Sequence, residues 1–240
     1  MKPRPYRPLG KAMLDYMAGK AEAAIISHTD DEEEPDVIPV EVFFREDHEM
    51  EALELTALEL CHGRVLDAGA GAGGHALALQ EKGAIVTAID VLDEAVKVMK
   101  ARGVKDAQVA DVFTYKGGPF DSVLMMMNGI GIAGDIEGMR SLLRKARELV
   151  TDEGVLVFDS LDLRADWDWE EGRAWTVADD CRYPGITTFR IEYEGKTGKP
   201  FEWLFVDPDT LAAFAELEGW YSQVVFMEED GHYLARLKKI

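Results

Sequence analysis

The chain has 240 residues, with 26 Lys or Arg against 46 Asp or Glu, so its formal net charge is −20. That excess repels phosphate backbones and anionic lipid surfaces, which argues against a nucleic-acid or membrane partner and leaves a small cationic ligand open. The length suits one α/β domain with a small cap. Cys61 and Cys181 lie far apart, with neither a zinc spacing nor a disulfide framework.

Met1 to Pro8 carries charge with no apolar run behind it, so it does not resemble a secretory signal. Leu9, Met13, Tyr16 and Met17 recur at helical spacing and predict an amphipathic helix reaching about Ile26. His28 then falls in a loop, followed by the acidic run Asp30-Asp31-Glu32-Glu33-Glu34, which is expected to be solvated. Val37 to Phe44 is extended and apolar, and Pro39 bars it from a central strand. Met50, Leu53, Ala57, Leu60 and Cys61 predict a second helix, closed by Gly63. Residues 1–62 thus read as a helical cap or lid on a domain covering 63–240.

From Arg64 short apolar runs alternate with helical stretches. Strands are predicted at Val65–Ala68, Ile85–Ile89, Ala107–Ala110, Phe120–Met127 and Val155–Phe158. Helices are predicted at Gly74–Glu81, Asp93–Lys100 and Met139–Leu149. The longest mostly apolar run, Val123 to Ala133, falls short of the roughly 20 residues that span a bilayer. A cytoplasmic protein is therefore expected. Further on, Ile186–Glu194 and Phe201–Val206 alternate like antiparallel strands, Pro208–Leu217 is helical behind an Asp207 N-cap, and Gln223–Glu228 pairs with Tyr233–Lys238 around Asp230-Gly231. The fold class is α/β: a doubly wound, mostly parallel seven-stranded sheet ending in an antiparallel hairpin, with an N-terminal helical cap and an inserted β pair at about 186–206. Exposed edges on that pair give weight to a homodimer.

Gly69-Ala70-Gly71-Ala72-Gly73-Gly74 follows a strand and opens a helix, and Asp90 ends the next strand, where an acid can hold two ribose hydroxyls. A dinucleotide or a nucleoside without phosphate fits this geometry. Asp67 separates them, because it points a carboxylate at the loop and no Lys or Arg lies between Val65 and Glu81 to offset it. A pyrophosphate would meet like charge there. S-adenosylmethionine, with its α-ammonium and sulfonium, would be attracted. His75, one residue inside the helix, is expected to be exposed.

Val65-Leu66-Asp67-Ala68-Gly69-Ala70-Gly71-Ala72-Gly73 resembles motif I of the class I S-adenosylmethionine-dependent methyltransferases. The resemblance runs from about Gly63 to Ile240 and implies S-adenosylmethionine as cofactor. By that resemblance Asp67 would contact the methionine ammonium, and Gly69, Ala70 and Gly71 would let the backbone approach it. Asp90 would hold the ribose hydroxyls, with Val91 and Leu92 against the adenine. Asp111 would accept from the adenine amine beside Val112, and the loop Met127-Asn128-Gly129 would close over the methyl end.

The loop after the fourth strand lacks the Asn/Asp-Pro-Pro-aromatic motif often found in methyltransferases acting on base amines or protein glutamine. With the net charge, this makes nucleic acid a poor acceptor and a small molecule the favoured one. No base stands out. Candidates for a catalytic role are Asp159 at the end of the fifth strand, and His28 and Glu41 in the lid, where Phe43, Phe44 and Arg45 also lie. Trp167, Trp169, Trp175 and Trp203 flank the inserted pair and could line an apolar acceptor pocket or a dimer seam. A binding protein without turnover and an NAD-dependent oxidoreductase are the alternatives.

Overall fold

The apolar runs after Arg64 become strands buried on both faces, as parallel strands between helical layers require. The computed structural model describes residues 5–30, 34–166, 173–176 and 182–240. In chain order the elements are α1 (Arg7–Met17), β1 (Ala24–Thr29), β2 (Asp36–Pro39), α2 (Ala52–Leu60), β3 (Arg64–Ala68), α3 (Gly74–Glu81), β4 (Ile85–Asp90), α4 (Asp93–Arg102), β5 (Ala107–Val109), β6 (Phe120–Met125), α5 (Ile136–Leu149), β7 (Val150–Leu161), β8 (Ile186–Tyr193), β9 (Lys196–Thr197), β10 (Phe201–Leu204), α6 (Pro208–Leu217), β11 (Trp220–Met227) and β12 (His232–Lys239). Short 3-10 turns cover Val40–Phe43 and Gly129–Ala133.

The larger sheet has seven strands in the order β11-β12-β7-β6-β3-β4-β5. The pairs β3–β4, β3–β6, β4–β5 and β6–β7 are parallel, and β12 closes antiparallel on β7 and β11. Because β3 sits between β4 and β6, the crossovers leave it in opposite directions. This topological switch opens a crevice at the carboxyl ends of β3 and β6. Asp207 caps α6 by accepting the Thr210 amide at 2.9 Å, as predicted.

The N-terminal region departs from expectation. The first helix stops at Met17, ahead of a turn at Gly19, and residues 24–29 form a strand. Ala23, Ile25 and Ser27 are buried in alternation, which is the period of a strand. β1 pairs antiparallel with β2 on one side and with the inserted β8 on the other. The result is a second sheet, ordered β10-β8-β1-β2 with β9 beside β8, built from two distant stretches of chain. The β8 edge expected to be open is therefore covered by β1, and the second sheet ends at β10 and β2. Pro39 ends the outer strand β2, where a missing amide is tolerated.

Met13 of α1, Ala95 and Val98 of α4, and Ile191 and Tyr193 of β8 share a buried cluster that seats the second sheet on the larger one. Trp175 is buried in the main core against Phe214 and Tyr183, so it lines neither a pocket nor a surface. Trp167, Trp169, Cys181 and residues 31–33 of the acidic run lie outside the described residues. Asp30 at the start of that run accepts the Thr188 amide at 2.9 Å. Cys61 is a free, half-buried thiol, and burial pushes its pKa up to about 12. Among the described residues no helix is long and apolar enough to cross a membrane.

Candidate active site

A cavity of about 540 Å³ lies between the two sheets. Its floor is the carboxyl end of β3 and β4 with the loop that follows each. Its roof is the inner face of the second sheet, where Ile25, Ser27, Phe189, Ile191 and Trp203 point inward.

The glycine loop forms because its backbone turns left-handed three times, at Gly69, Gly71 and Gly73 with φ of +81°, +54° and +83°. Three contacts pin it to β4, one of them from the Ala70 amide to the Ile89 carbonyl at 3.1 Å. The Gly69 amide donates to the Ile89 carbonyl at 2.9 Å, and the Gly71 amide donates to the Asp90 carboxylate at 3.0 Å. The other Asp90 oxygen accepts from the Leu92 amide at 2.8 Å. Asp90 therefore shapes the loop as well as facing the cavity. Asp111, exposed on the wall, accepts the Phe113 amide at 3.0 Å and so also caps its own turn, beside buried Val112.

Asp67, at the end of β3, is 2% exposed and lines the cavity. Its Oδ2 has no hydrogen-bond partner among the described residues. Burial drives its pKa up from 3.8 to about 6; the Asp90 charge adds to this, while His75 and the Ala76 amide pull it down.

Next to it is a buried polar cluster. His75 Nε2 lies 2.9 Å from Glu54 Oε1, and Arg45 donates from Nη2 to Glu54 at 3.0 Å. Burial raises the Glu54 pKa, but the bond to His75, the Glu51 amide and the charges of His75 and Arg45 outweigh it and leave the carboxyl below its usual range. His75 is thus buried, not exposed as expected, because α2 lays Glu54 across the first turn of α3. The Arg45 carbonyl rests on Gly74, where a Cβ would come within 2.9 Å. Tyr6, from the start of α1, also reaches the wall. Burial, then the charges of Asp90 and Asp111, push its pKa up to about 12.

Of the residues the sequence singles out, Asp67, Gly69, Ala70, Gly71, Asp90, Val91, Asp111, Val112 and Met127 all line this one cavity. Asn128 does not. Met127 and Asn128 are both left-handed, with φ of +64° and +55°, a costly conformation without glycine. Asp159 holds it, accepting the Asn128 amide at 2.8 Å and the Gly129 amide at 3.1 Å. Burial raises the Asp159 pKa, but both its oxygens are committed to the loop and it lies behind the cavity wall. Asp159 is an anchor for the loop and does not stand free as a base.

The two lid candidates are also off the wall. His28 lies in β1, not in a loop, and alternation turns it away from inward-facing Ser27. Its Nε2 sits 3.3 Å from Glu192 on the outer face. Glu41 is exposed and borders a separate shallow recess with Tyr16 and Phe44. Phe43 and Arg45 of the same segment do reach the cavity. The sequence reading missed Tyr6 and Glu54. The Glu51-x-x-Glu54 capping box was a local signal for Glu54, but nothing local marked it as facing a cavity.

A methyltransferase-domain family model matches residues 65–154. No curated protein matches by sequence. A SAM-dependent methyltransferase from Bacteroides fragilis, solved in complex with S-adenosyl-L-homocysteine, is 38% identical with a TM-score of 0.88, over 99% of this chain and 96% of that one. The CcbJ methyltransferase from Streptomyces caelestis shares the fold at 15% identity and a TM-score of 0.61, over 78% and 87% of the two chains. The sugar N-methyltransferase KedS8 from Streptoalloteichus shares it at 15% and 0.56, over 83% and 92%. Whole-length similarity to the Bacteroides enzyme, on a fold whose switch-point cavity carries the glycine loop and its flanking acids, shows that this chain belongs to the S-adenosylmethionine-dependent methyltransferases, with S-adenosylmethionine as cofactor.

Proposed function

We propose that the enzyme methylates a small, largely apolar acceptor held under the second sheet, and that Asp67, the glycine loop, Asp90 and Asp111 hold the cofactor. The observation that carries this is Asp67 Oδ2, a buried carboxylate oxygen with no partner among the described residues, at the edge of a cavity between glycines and an aromatic roof. Leaving such an oxygen unsatisfied is costly, and an α-ammonium group is the complementary donor. A pyrophosphate would meet repulsion at the same place, which disfavours the oxidoreductase reading.

When bound, the cofactor supplies a methyl group already activated on a sulfonium. The chain then has to position and to dry the reaction. Phe43, Phe189 and Trp203 present apolar surface opposite the floor and shield an acceptor from water. The Met127 backbone, locked left-handed by the Asp159 anchor, fixes the wall between the two. Tyr6 stays protonated at neutral pH, so its hydroxyl can donate a hydrogen bond and does not serve as a base. The aromatic roof favours an uncharged acceptor, and an amine would have to lose its proton before entering. KedS8 acts on a sugar by its printed name, which supports the small-molecule reading. A cytoplasmic location belongs to the same reading and accords with the free Cys61 thiol.

Titration with S-adenosylhomocysteine, followed by a methyl-transfer screen over small amines and hydroxyl compounds, tests this. Saturable binding and transfer to members of the panel are expected. Binding without transfer to any small acceptor, together with transfer to a protein, overturns the small-molecule assignment. Absence of binding overturns the cofactor site.

A further inference from the structure

The roof of the cavity offers no base. Its strands bring Ile25, Ser27, Phe189, Ile191 and Trp203 to the wall, and the lid brings Phe43. The Ser27 hydroxyl is the nearest thing to a titratable group among these six, and it does not accept a proton at neutral pH. The titratable groups of the wall lie on the floor and its margin, where each is engaged. Asp67, Asp90 and Asp111 belong to the cofactor in the reading above. His75 Nε2 lies 2.9 Å from Glu54, and Arg45 bonds the same carboxylate at 3.0 Å. Tyr6 keeps its own proton, because burial and the charges of Asp90 and Asp111 push its pKa up to about 12. A hydroxyl acceptor has to give up a proton to a base as it reacts, whereas a neutral amine attacks with a lone pair it already has.

The wall is also one-sided in charge. Asp67, Asp90, Asp111 and Glu54 face a single Lys or Arg among the described residues, Arg45, and Glu54 holds it. An anionic acceptor would enter against that field, and a positive charge formed inside it would be favoured.

The rings supply the third observation. Tyr6, Phe43, Phe189 and Trp203 all line the cavity. Phe201 knits three of them together, with ring centroids 4.6 Å from Tyr6, 6.0 Å from Phe189 and 6.1 Å from Trp203. Tyr6 and Trp203 meet edge to face at 6.3 Å. Rings braced in this way are held ready for a ligand, and aromatic rings attract cations, quaternary ammonium groups above all.

Resting on the reading that the floor holds the cofactor, we propose that the acceptor atom is an amine nitrogen, that the substrate is an apolar amine entering uncharged, and that Tyr6, Phe43, Phe189 and Trp203 cage the ammonium it becomes. The nitrogen lone pair forms the bond to the methyl carbon as the carbon–sulfur bond breaks, and the electrons of that bond stay on sulfur as a neutral thioether. The positive charge passes from sulfur to nitrogen, so the acids of the floor face one such cation before and after transfer. A primary or secondary amine sheds its extra proton to water on leaving, and a tertiary amine leaves as the quaternary ion.

The test uses the full chain saturated with S-adenosylhomocysteine, which keeps other cations off Asp67. Three probes of one shape are titrated by calorimetry: choline, its carbon isostere 3,3-dimethylbutan-1-ol, and the 3,3-dimethylbutanoate anion. Choline should bind at least about tenfold tighter than the neutral isostere, and the anion weakest. Trp203→Leu should cut that preference to less than about threefold while S-adenosylhomocysteine affinity stays within about twofold; Phe189→Leu serves if the first variant unfolds. A neutral isostere that binds as well as choline, an anion that binds best, or choline that does not bind the complex overturns the proposal. So does an O-methyl product in place of an N-methyl one when benzylamine and benzyl alcohol compete for transfer; if neither is turned over, the binding series decides. Failure of the wild type to bind S-adenosylhomocysteine means that the underlying cofactor reading is the one that fails.

Discussion

The floor of the cavity comes mostly from one stretch of chain, residues 67–113, whereas the roof is assembled from residues 25–43 and 189–203. The floor holds charge: Asp67, Asp90 and Asp111, with Glu54 and Arg45 at its margin. The roof is aromatic and aliphatic, with Phe189, Ile191 and Trp203 in one inward row. The two walls are suited to different tasks. A fixed, charged ligand needs fixed partners, and a contiguous strand-loop-helix supplies them with little freedom to err. An apolar acceptor needs shape and dryness, which a sheet laid over the crevice can provide from any sequence that alternates correctly.

If this division is right, the largest effect belongs to the floor. Asp67→Ala should cost roughly a hundredfold in S-adenosylhomocysteine affinity, measured by calorimetry at pH 7.5. Asp67→Asn should lose binding too, yet melt at a higher temperature than wild type at that pH without ligand. The lift of its pKa from 3.8 to about 6 corresponds to about 3 kcal/mol held against the folded state once the group is ionised. A binding site that destabilises its own empty fold is what separates a functional carboxylate from a structural one.

The same group sets a pH dependence. The folded protein holds the Asp67 proton more tightly than the unfolded chain, so ligand-free stability falls as pH rises from about 4 to about 6 and levels off above. Affinity for a cationic amino-acid end runs the other way. It should be about tenfold weaker at pH 5 than at pH 7, because only the ionised carboxylate attracts the ammonium. Asp67→Asn should flatten that profile. A profile unchanged by the substitution would assign the titration to another group.

The roof should respond to different changes. Gly131, in the turn after β6, lies against the Trp203 indole so closely that a Cβ there would collide with it. Gly131→Ala should push Trp203 and lower kcat/KM for the acceptor by about tenfold, while donor affinity moves less than about twofold. Loss of both together would mean that the walls are not separable.

These two walls were not equally readable from sequence. Asp67, the glycines, Asp90 and Asp111 follow strands at intervals set by the βαβ unit, so their convergence was visible before any coordinates. The roof was not, because its strands pair across more than a hundred residues: Ser27 lies opposite Ile191 and Thr29 opposite Phe189. No local pattern announces a partner so distant. Ile25-Ile26 read as the tail of a helix because the period-2 burial of a six-residue strand is short beside the helical period preceding it. His75 failed for a related reason. Its exposure depended on whether α2 would cover the start of α3, a packing decision that the helix pattern alone does not contain. Asp159 was expected just past its strand but lies inside β7, and its role depended on two left-handed residues in a loop that lacks glycine where it turns.

The smallest expected effect tests which face of the roof matters. His28 is next to Ser27 in β1, yet it sits on the outer face near Glu192, so the cavity cannot sense its protonation directly. His28→Asn should leave S-adenosylhomocysteine affinity and acceptor kcat/KM within about twofold of wild type, and Ser27→Val, one residue away but inward, should change the acceptor term and not the donor term. The pair shares backbone, neighbours in the ladder and distance along the chain; the two residues differ only in the side of the sheet they occupy. If His28→Asn reduces turnover as much as Ser27→Val, the sheet transmits its outer charge inward, and the roof is more than a hydrophobic cover.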